Sequence, residues 1–214
     1  MFEKKKTYFG GARLDILHLV EKGSNRILEI GCGAGNTGKT LKQQGRAAEV
    51  IGIEKIFEIA EIAKAVLDKV VCGDVETVEL PFSKEYFDYI IAADVLEHLY
   101  DPWSLIDKLR IYLKKGGYIV ASLPNIRNWK ILKGLVLKGQ WEYSHDGVLD
   151  DTHLRFFTKK SIITLFQSKG FVVTSIAPNF KYQTGNPYNT LNKFTLGLLE
   201  DFITTCYLIK AKNV

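Results

Sequence analysis

The chain has 214 residues, 46% apolar and 25% charged, and its 29 basic and 24 acidic side chains give a formal charge of +5. That composition excludes a disordered or fibrous protein and suits a globular one long enough for a well-buried core. The charge is modest and reads as spread along the chain, so no specific nucleic acid is expected.

No stretch approaches about 18 consecutive apolar residues, and no apolar segment follows Met1-Phe2-Glu3-Lys4-Lys5-Lys6, so a cytoplasmic protein without a membrane span is expected. Cys32, Cys72 and Cys206 lack the paired spacing of a disulfide framework or zinc site and are expected to be small buried hydrophobes.

In chain order, 11–22 reads as an amphipathic helix stopped by Gly23, and 26–30 as the first strand. A helix over 36–44 closes at Gly45, and Val50-Ile51-Gly52-Ile53 forms a second strand ending at Glu54. Ile59, Ile62, Ala63 and Val66 mark a helical face before a third strand near 69–72. The run 86–92 is apolar enough for a strand buried on both faces.

Asp101-Pro102 caps a helix through Leu113, stopped by Gly116-Gly117, and 118–123 is the fifth strand. Thr158 opens a helix to Gly170, with strands six and seven at 171–176 and about 204–211. Repeating βα units of this kind predict an α/β fold with a doubly wound, mostly parallel sheet in a single domain spanning 1–214.

Two insertions interrupt the alternation. The segment 126–157 carries a basic amphipathic stretch with Ile126, Trp129, Leu132 and Val136 on one side, and 178–203 holds a helix bearing Leu191, Phe194, Leu198 and Phe202. Their apolar stripes are expected to pack on the core; the alternative is a lid over the crevice, or a dock on a membrane or partner.

The first strand runs into Gly31-Cys32-Gly33-Ala34-Gly35, a turn whose glycines let a ligand lie against the backbone. Asn36 stands where a dinucleotide-binding Gly-x-Gly-x-x-Gly pattern needs its third glycine, which counts against a dehydrogenase.

The set Glu29-x-Gly31-x-Gly33-x-Gly35, with Glu54 ending strand two, resembles the class I S-adenosylmethionine-dependent methyltransferases. Cys72-Gly73-Asp74-Val75 matches their adenine-binding segment, and Asp94-Val95-Leu96-Glu97-His98-Leu99 is similar to a run in the ubiquinone-biosynthesis-like branch. Asp151-Thr152-His153-Leu154-Arg155-Phe156-Phe157 resembles a segment of methyltransferases associated with cell-surface polysaccharides, and the likeness covers about residues 20–176. It implies a seven-stranded sheet with the last strand antiparallel, and S-adenosyl-L-methionine as cofactor with S-adenosyl-L-homocysteine as product.

The resemblance assigns the ribose to Glu54, the adenine amino group to Asp74, and the adenine faces to Ile56 and Val75. Glu29, Gly31, Gly33, Gly35, Lys55, Gly73, Ala93 and Asp94 complete the expected cofactor contacts. A solvated carboxylate is the competing role for Glu54, and a turn cap for Asp74.

Methylation of a hydroxyl is helped by a base near neutral pKa, which makes His98, His153 and His145 the catalytic candidates, while His18 is structural or exposed. Two histidines among Asp146, Asp150 and Asp151 could bind a divalent metal, but packing or substrate contact is preferred and no metal is expected. Tyr8, Trp141, Tyr143 and Arg155 are expected near the reacting sulfur with His145 and His153.

The expected activity is O-methylation of a small molecule or of a sugar or glycan hydroxyl. The alternatives are an N-methyltransferase acting on an amine or amino sugar, and a cofactor-binding module without turnover. The expected partner is that small-molecule or glycan acceptor, with peripheral membrane contact left open.

Overall fold

A computed structural model describes residues 10–214, so the Lys4-Lys5-Lys6 arm and Tyr8 lie outside the described residues. Strands β1 (Arg26–Ile30), β2 (Glu49–Glu54), β3 (Lys69–Cys72), β4 (Phe87–Ala93), β5 (Leu113–Pro124), β6 (Phe171–Pro178) and β7 (Cys206–Asn213) form one sheet, ordered β3-β2-β1-β4-β5-β7-β6. The pairs from β3 to β5 are parallel, while β7 runs antiparallel to both β5 and β6. This is the doubly wound sheet expected from the alternation, with the antiparallel last strand implied by the resemblance.

Because successive side chains in a strand point to opposite faces, β1 feeds two cores. Ile27 packs with Ile16, Leu41 and Ile91 on one side of the sheet. Leu28 packs with Ile106, Leu109 and Phe166 on the other. Each such side chain, fully withdrawn from water, contributes about 1.5–3 kcal/mol.

Helices α1 (Leu14–Leu17), α2 (Asn36–Gln43), α3 (Phe57–Lys64), α4 (Pro102–Tyr112), α5 (Trp129–Lys138), α6 (Lys159–Gln167), α7 (Pro187–Phe194) and α8 (Glu200–Ile203) connect the strands. As expected, α4 starts at Asp101, whose side chain accepts from the Ser104 amide at 3.0 Å, with Pro102 in the first turn. Among the described residues, no helix is long and apolar enough to cross a membrane.

Several expectations are corrected. The helix expected over 11–22 is only α1, because Leu19 and Val20 bond three residues back and wind as tight turns. Gly116 and Gly117 do not stop α4; they lie inside β5, where a Cβ on Gly117 would come within 2.9 Å of the Asp88 carbonyl. The helix expected to carry Leu191 through Phe202 is broken into α7 and α8 by Leu196 and Gly197, at φ +50° and +81°. Neither α5 nor α7 has a buried residue, so their apolar stripes do not pack on the core. Cys32 is buried as expected, but Cys72 is exposed and Cys206 half-buried.

Both insertions lie at the carboxyl end of the parallel strands. The segment 126–157 leaves the end of β5, and 178–203 re-enters the sheet where Cys206 pairs with Pro124.

Candidate active site

Strand order reverses between β1 and β4, the place where an open α/β sheet leaves a crevice at its carboxyl end. Gly31 leaves β1 there at φ +64°, and a Cβ on it would come within 2.6 Å of Val95 Cγ2, just beyond β4. Gly35, at φ +81°, caps α2, and a Cβ there would press on Leu67. The turn therefore presents main chain and cannot carry side chains at these positions.

Glu54, at the end of β2, is 6% exposed, so it is no solvated loop carboxylate. Its Oε2 accepts from the Gly33 amide at 3.0 Å and its Oε1 from the Ile56 amide at 2.9 Å. A carboxylate has about four acceptor sites, so two remain for a ribose diol. The next strand end supplies Asp74, whose Oδ1 caps the Glu76 amide at 3.0 Å, the competing role weighed for it, while Oδ2 takes a 2.8 Å ion pair from Lys55. The Lys55 hydrogen bond holds the Asp74 carboxyl below its usual range. Ile56 is exposed, whereas Val75 is buried in the core.

Glu29 lies under the turn, only 3% exposed. Burial pushes its carboxyl up to about 8, opposed by the Thr37 hydroxyl and the Gly38 amide. Its direct contacts thus support the start of α2.

Ala93 ends β4 beside Ser122 of β5. Asp94 follows in left-handed backbone at φ +53°, held by Ser122, whose Oγ accepts from its amide at 2.9 Å and donates to its Oδ1 at 2.6 Å. Arg13 pairs with the other carboxylate oxygen and holds Asp15 through Nη2 at 3.0 Å. Arg13 was not a candidate from sequence, since nothing in its neighbourhood signals a partner 81 positions away.

The three histidine candidates separate. His145 is 72% exposed and sits 3.4 Å from Asp151. His98 and His153 come together, ring centroids 4.7 Å apart and edge to face. The hydrogen-bond network assigns their tautomers. His153 Nδ1 lies 3.0 Å from the Val148 carbonyl and His98 Nδ1 lies 3.2 Å from the Thr152 carbonyl. A carbonyl only accepts, so both Nδ1 atoms donate and Nε2 is the basic nitrogen of each neutral ring. His18 is exposed and stacks on Tyr182 at 5.3 Å.

Glu97, quoted within a motif but given no role from sequence, completes this group. It is 0% exposed, and neither carboxylate oxygen has a hydrogen-bond partner among the described residues. Burial, then the nearby Asp94 charge, raises its pKa well above the ordinary value. His153 Nε2 is 3.9 Å from Glu97 Oε1, too long for a hydrogen bond. Ligand atoms of Glu97, His98 and His153 fall within 4.8 Å of one another, a donor set that could hold a divalent cation. The Leu154 and Arg155 amides donate to the Glu97 carbonyl at 2.8 and 2.9 Å, fastening the 126–157 insertion to the turn that follows β4.

Of the remaining residues expected near the sulfur, Trp141 and Tyr143 pack around Phe156, and Arg155 donates to the Tyr100 carbonyl beside Trp103. A hollow of about 580 Å³ between Lys84, Arg110 and Asn213 lies at the opposite end of the strands and takes no part in this arrangement.

The family described as a methyltransferase domain matches residues 5–176. An uncharacterized methyltransferase of Anoxybacillus flavithermus is 29% identical over 174 residues, covering 80% of this chain and 81% of that one. A ubiquinone biosynthesis O-methyltransferase of Nitrobacter winogradskyi is 32% identical over 158 residues, or 70% of this chain, which spans only 57% of that relative's length. Among solved structures, an S-adenosylmethionine-dependent methyltransferase from Mesorhizobium loti has the same fold, with a TM-score of 0.67 at 17% identity over 96% of this chain and 100% of that one.

Proposed function

This chain belongs to the class I S-adenosylmethionine-dependent methyltransferases, and from that premise we propose that it methylates a hydroxyl of a small molecule or glycan, with His98 as the base. We read residues 1–214 as one methyltransferase unit whose insertions, 126–157 and 178–203, face the acceptor.

The residues of the crevice fit the cofactor. The glycine turn offers bare main chain, Glu54 has acceptor capacity for the ribose, and Asp74 stands one strand further on for the adenine amino group. When bound, S-adenosylmethionine supplies an activated methyl group to the acceptor oxygen and leaves as S-adenosylhomocysteine. The protein's part is alignment, exclusion of water and management of one proton. His98 Nε2 takes that proton from the acceptor hydroxyl, while Thr152 holds Nδ1 and keeps the ring oriented.

The observation that carries this reading is the meeting of His98 and His153 beside Glu97, 55 positions apart in sequence, at the end of β4. With an acceptor identified by transfer of a labelled methyl group, His98→Gln should lower kcat by about 10²- to 10⁴-fold and leave cofactor affinity unchanged. Unchanged turnover would remove His98 from the mechanism. A label found on nitrogen would replace the O-methylation reading with the N-methyltransferase. Calorimetry should show weaker cofactor binding for both Gly33→Val and Glu54→Ala; full affinity in both would overturn the assigned cradle.

A second reading is favoured by the Glu97 oxygens, which have no hydrogen-bond partner among the described residues: the Glu97, His98 and His153 cluster holds a divalent cation that orients the acceptor oxygen. Titration with magnesium or zinc alone would then show binding that Glu97→Gln abolishes. Turnover insensitive to a chelator would leave the cluster to proton transfer.

A further inference from the structure

The formal charge is not spread along the chain as its total suggests. Six of the 29 basic residues lie in 126–141 and 178–199, which contain none of the 24 acidic residues, leaving 23 basic against 24 acidic elsewhere. These two segments also carry the exposed apolar surface: Val136 and Leu137 on α5, and Phe194, Leu196 and Leu198 at and beyond the end of α7, are between 72% and 90% exposed.

The bases of the two segments are tied together through α8 and Thr204, which follow 178–199. Asn125 and Asn128, which lead into α5, donate to the Thr204 carbonyl at 3.0 and 3.1 Å, and Arg127 pairs with Asp201 of α8 at 2.6 Å. Lys130, Lys133, Lys138 and Lys193 have no carboxylate partner among the described residues.

We propose that α5 and the 187–199 segment together form a face that docks on an anionic lipid bilayer, at the end of the sheet where the cofactor crevice opens. Apolar side chains ringed by lysines match a surface with a negative headgroup layer over hydrocarbon. A second copy of this chain would set cations against cations, and a nucleic acid would leave Phe194, Leu196 and Leu198 without an apolar environment. The proposal does not depend on which acceptor is methylated.

Co-sedimentation of the full chain with vesicles tests it. Wild type should bind phosphatidylcholine vesicles containing phosphatidylglycerol, bind pure phosphatidylcholine far less, and lose binding as salt is raised. Reversing Lys130, Lys133, Lys138 and Lys193 to Glu should weaken partitioning on the order of a hundredfold or more, with cofactor affinity by calorimetry unchanged. Phe194→Ser with Leu196→Ser and Leu198→Ser should also weaken it, most visibly at high salt. Equal partitioning of wild type onto charged and neutral vesicles, or of wild type and the lysine variant onto charged ones, would overturn the proposal. So would lysine-dependent binding to duplex DNA with none to vesicles. Because cofactor affinity is measured on the same samples, failure of docking is distinguishable from failure of the cofactor site.

Discussion

Burial holds the Glu29 carboxyl near 8, so between its ordinary value and that pH the folded protein keeps a proton that the unfolded chain has released. Stability from this group is fully present below the unfolded pKa and is lost as pH rises through the folded one. Glu29→Gln keeps the shape and removes the titration. Urea unfolding of wild type should therefore lose on the order of a few kcal/mol more between pH 5 and 8 than the Gln variant does, and matching pH profiles would show that Glu29 titrates normally. Asp94 is another residue whose conformation the fold imposes. Its left-handed backbone is tolerated because Ser122 and Arg13 grip the carboxylate from two sides. Ser122→Ala removes both Oγ contacts with Asp94 and is expected to lower stability by about 1–3 kcal/mol, read from denaturant midpoints.

At the level of elements, several helices are started by a local device. Thr158 and Ser161 exchange side-chain to backbone bonds at 3.2 and 2.8 Å in a capping box that opens α6. Thr158→Ala should cost about 1 kcal/mol in chemical unfolding, without changing cofactor affinity. The start of α2 works differently, since its cap is Gly35 in left-handed backbone pressed against Leu67. Gly35→Ala places a Cβ in a strained conformation and an occupied space. It is expected to weaken cofactor binding together with stability, which thermal melts with and without cofactor would separate.

For the molecule as a whole, the sheet is the frame that gathers strand ends into one crevice. Glu54 ends β2 while Asp74 and Asp94 follow β3 and β4, and parallel pairing aligns those ends without further instruction. A cofactor that binds only the folded protein stabilises it by about 2.7 kcal/mol at a hundred times its Kd. For a chain of this size that corresponds to roughly 5–10 °C in Tm. Differential scanning calorimetry should show that rise with S-adenosylmethionine, and Glu54→Ala should reduce it. A nicotinamide dinucleotide should produce none.

Local pattern alone located the strands and the glycine turn, because strand periodicity and the positive φ of a tight turn are properties of neighbouring residues, whereas the expected roles of the carboxylates at 54 and 74 came from the family resemblance. Local pattern also supplied the cap at Asp101 and the opening of α6 at Thr158. Only the tertiary structure decided that His98 meets His153 rather than His145, that Glu97 lies beside them with no hydrogen-bond partner among the described residues, and that Arg13 closes on Asp94. It likewise decided that α5 and α7 stay off the core. These outcomes depend on which distant segments share an end of the sheet, and β7 settles much of that by entering antiparallel between β5 and β6 and carrying 178–203 to the crevice. Side-chain pattern sets which face of a segment is apolar; the physical neighbour that covers it, or fails to, exists only once the chain has closed on itself.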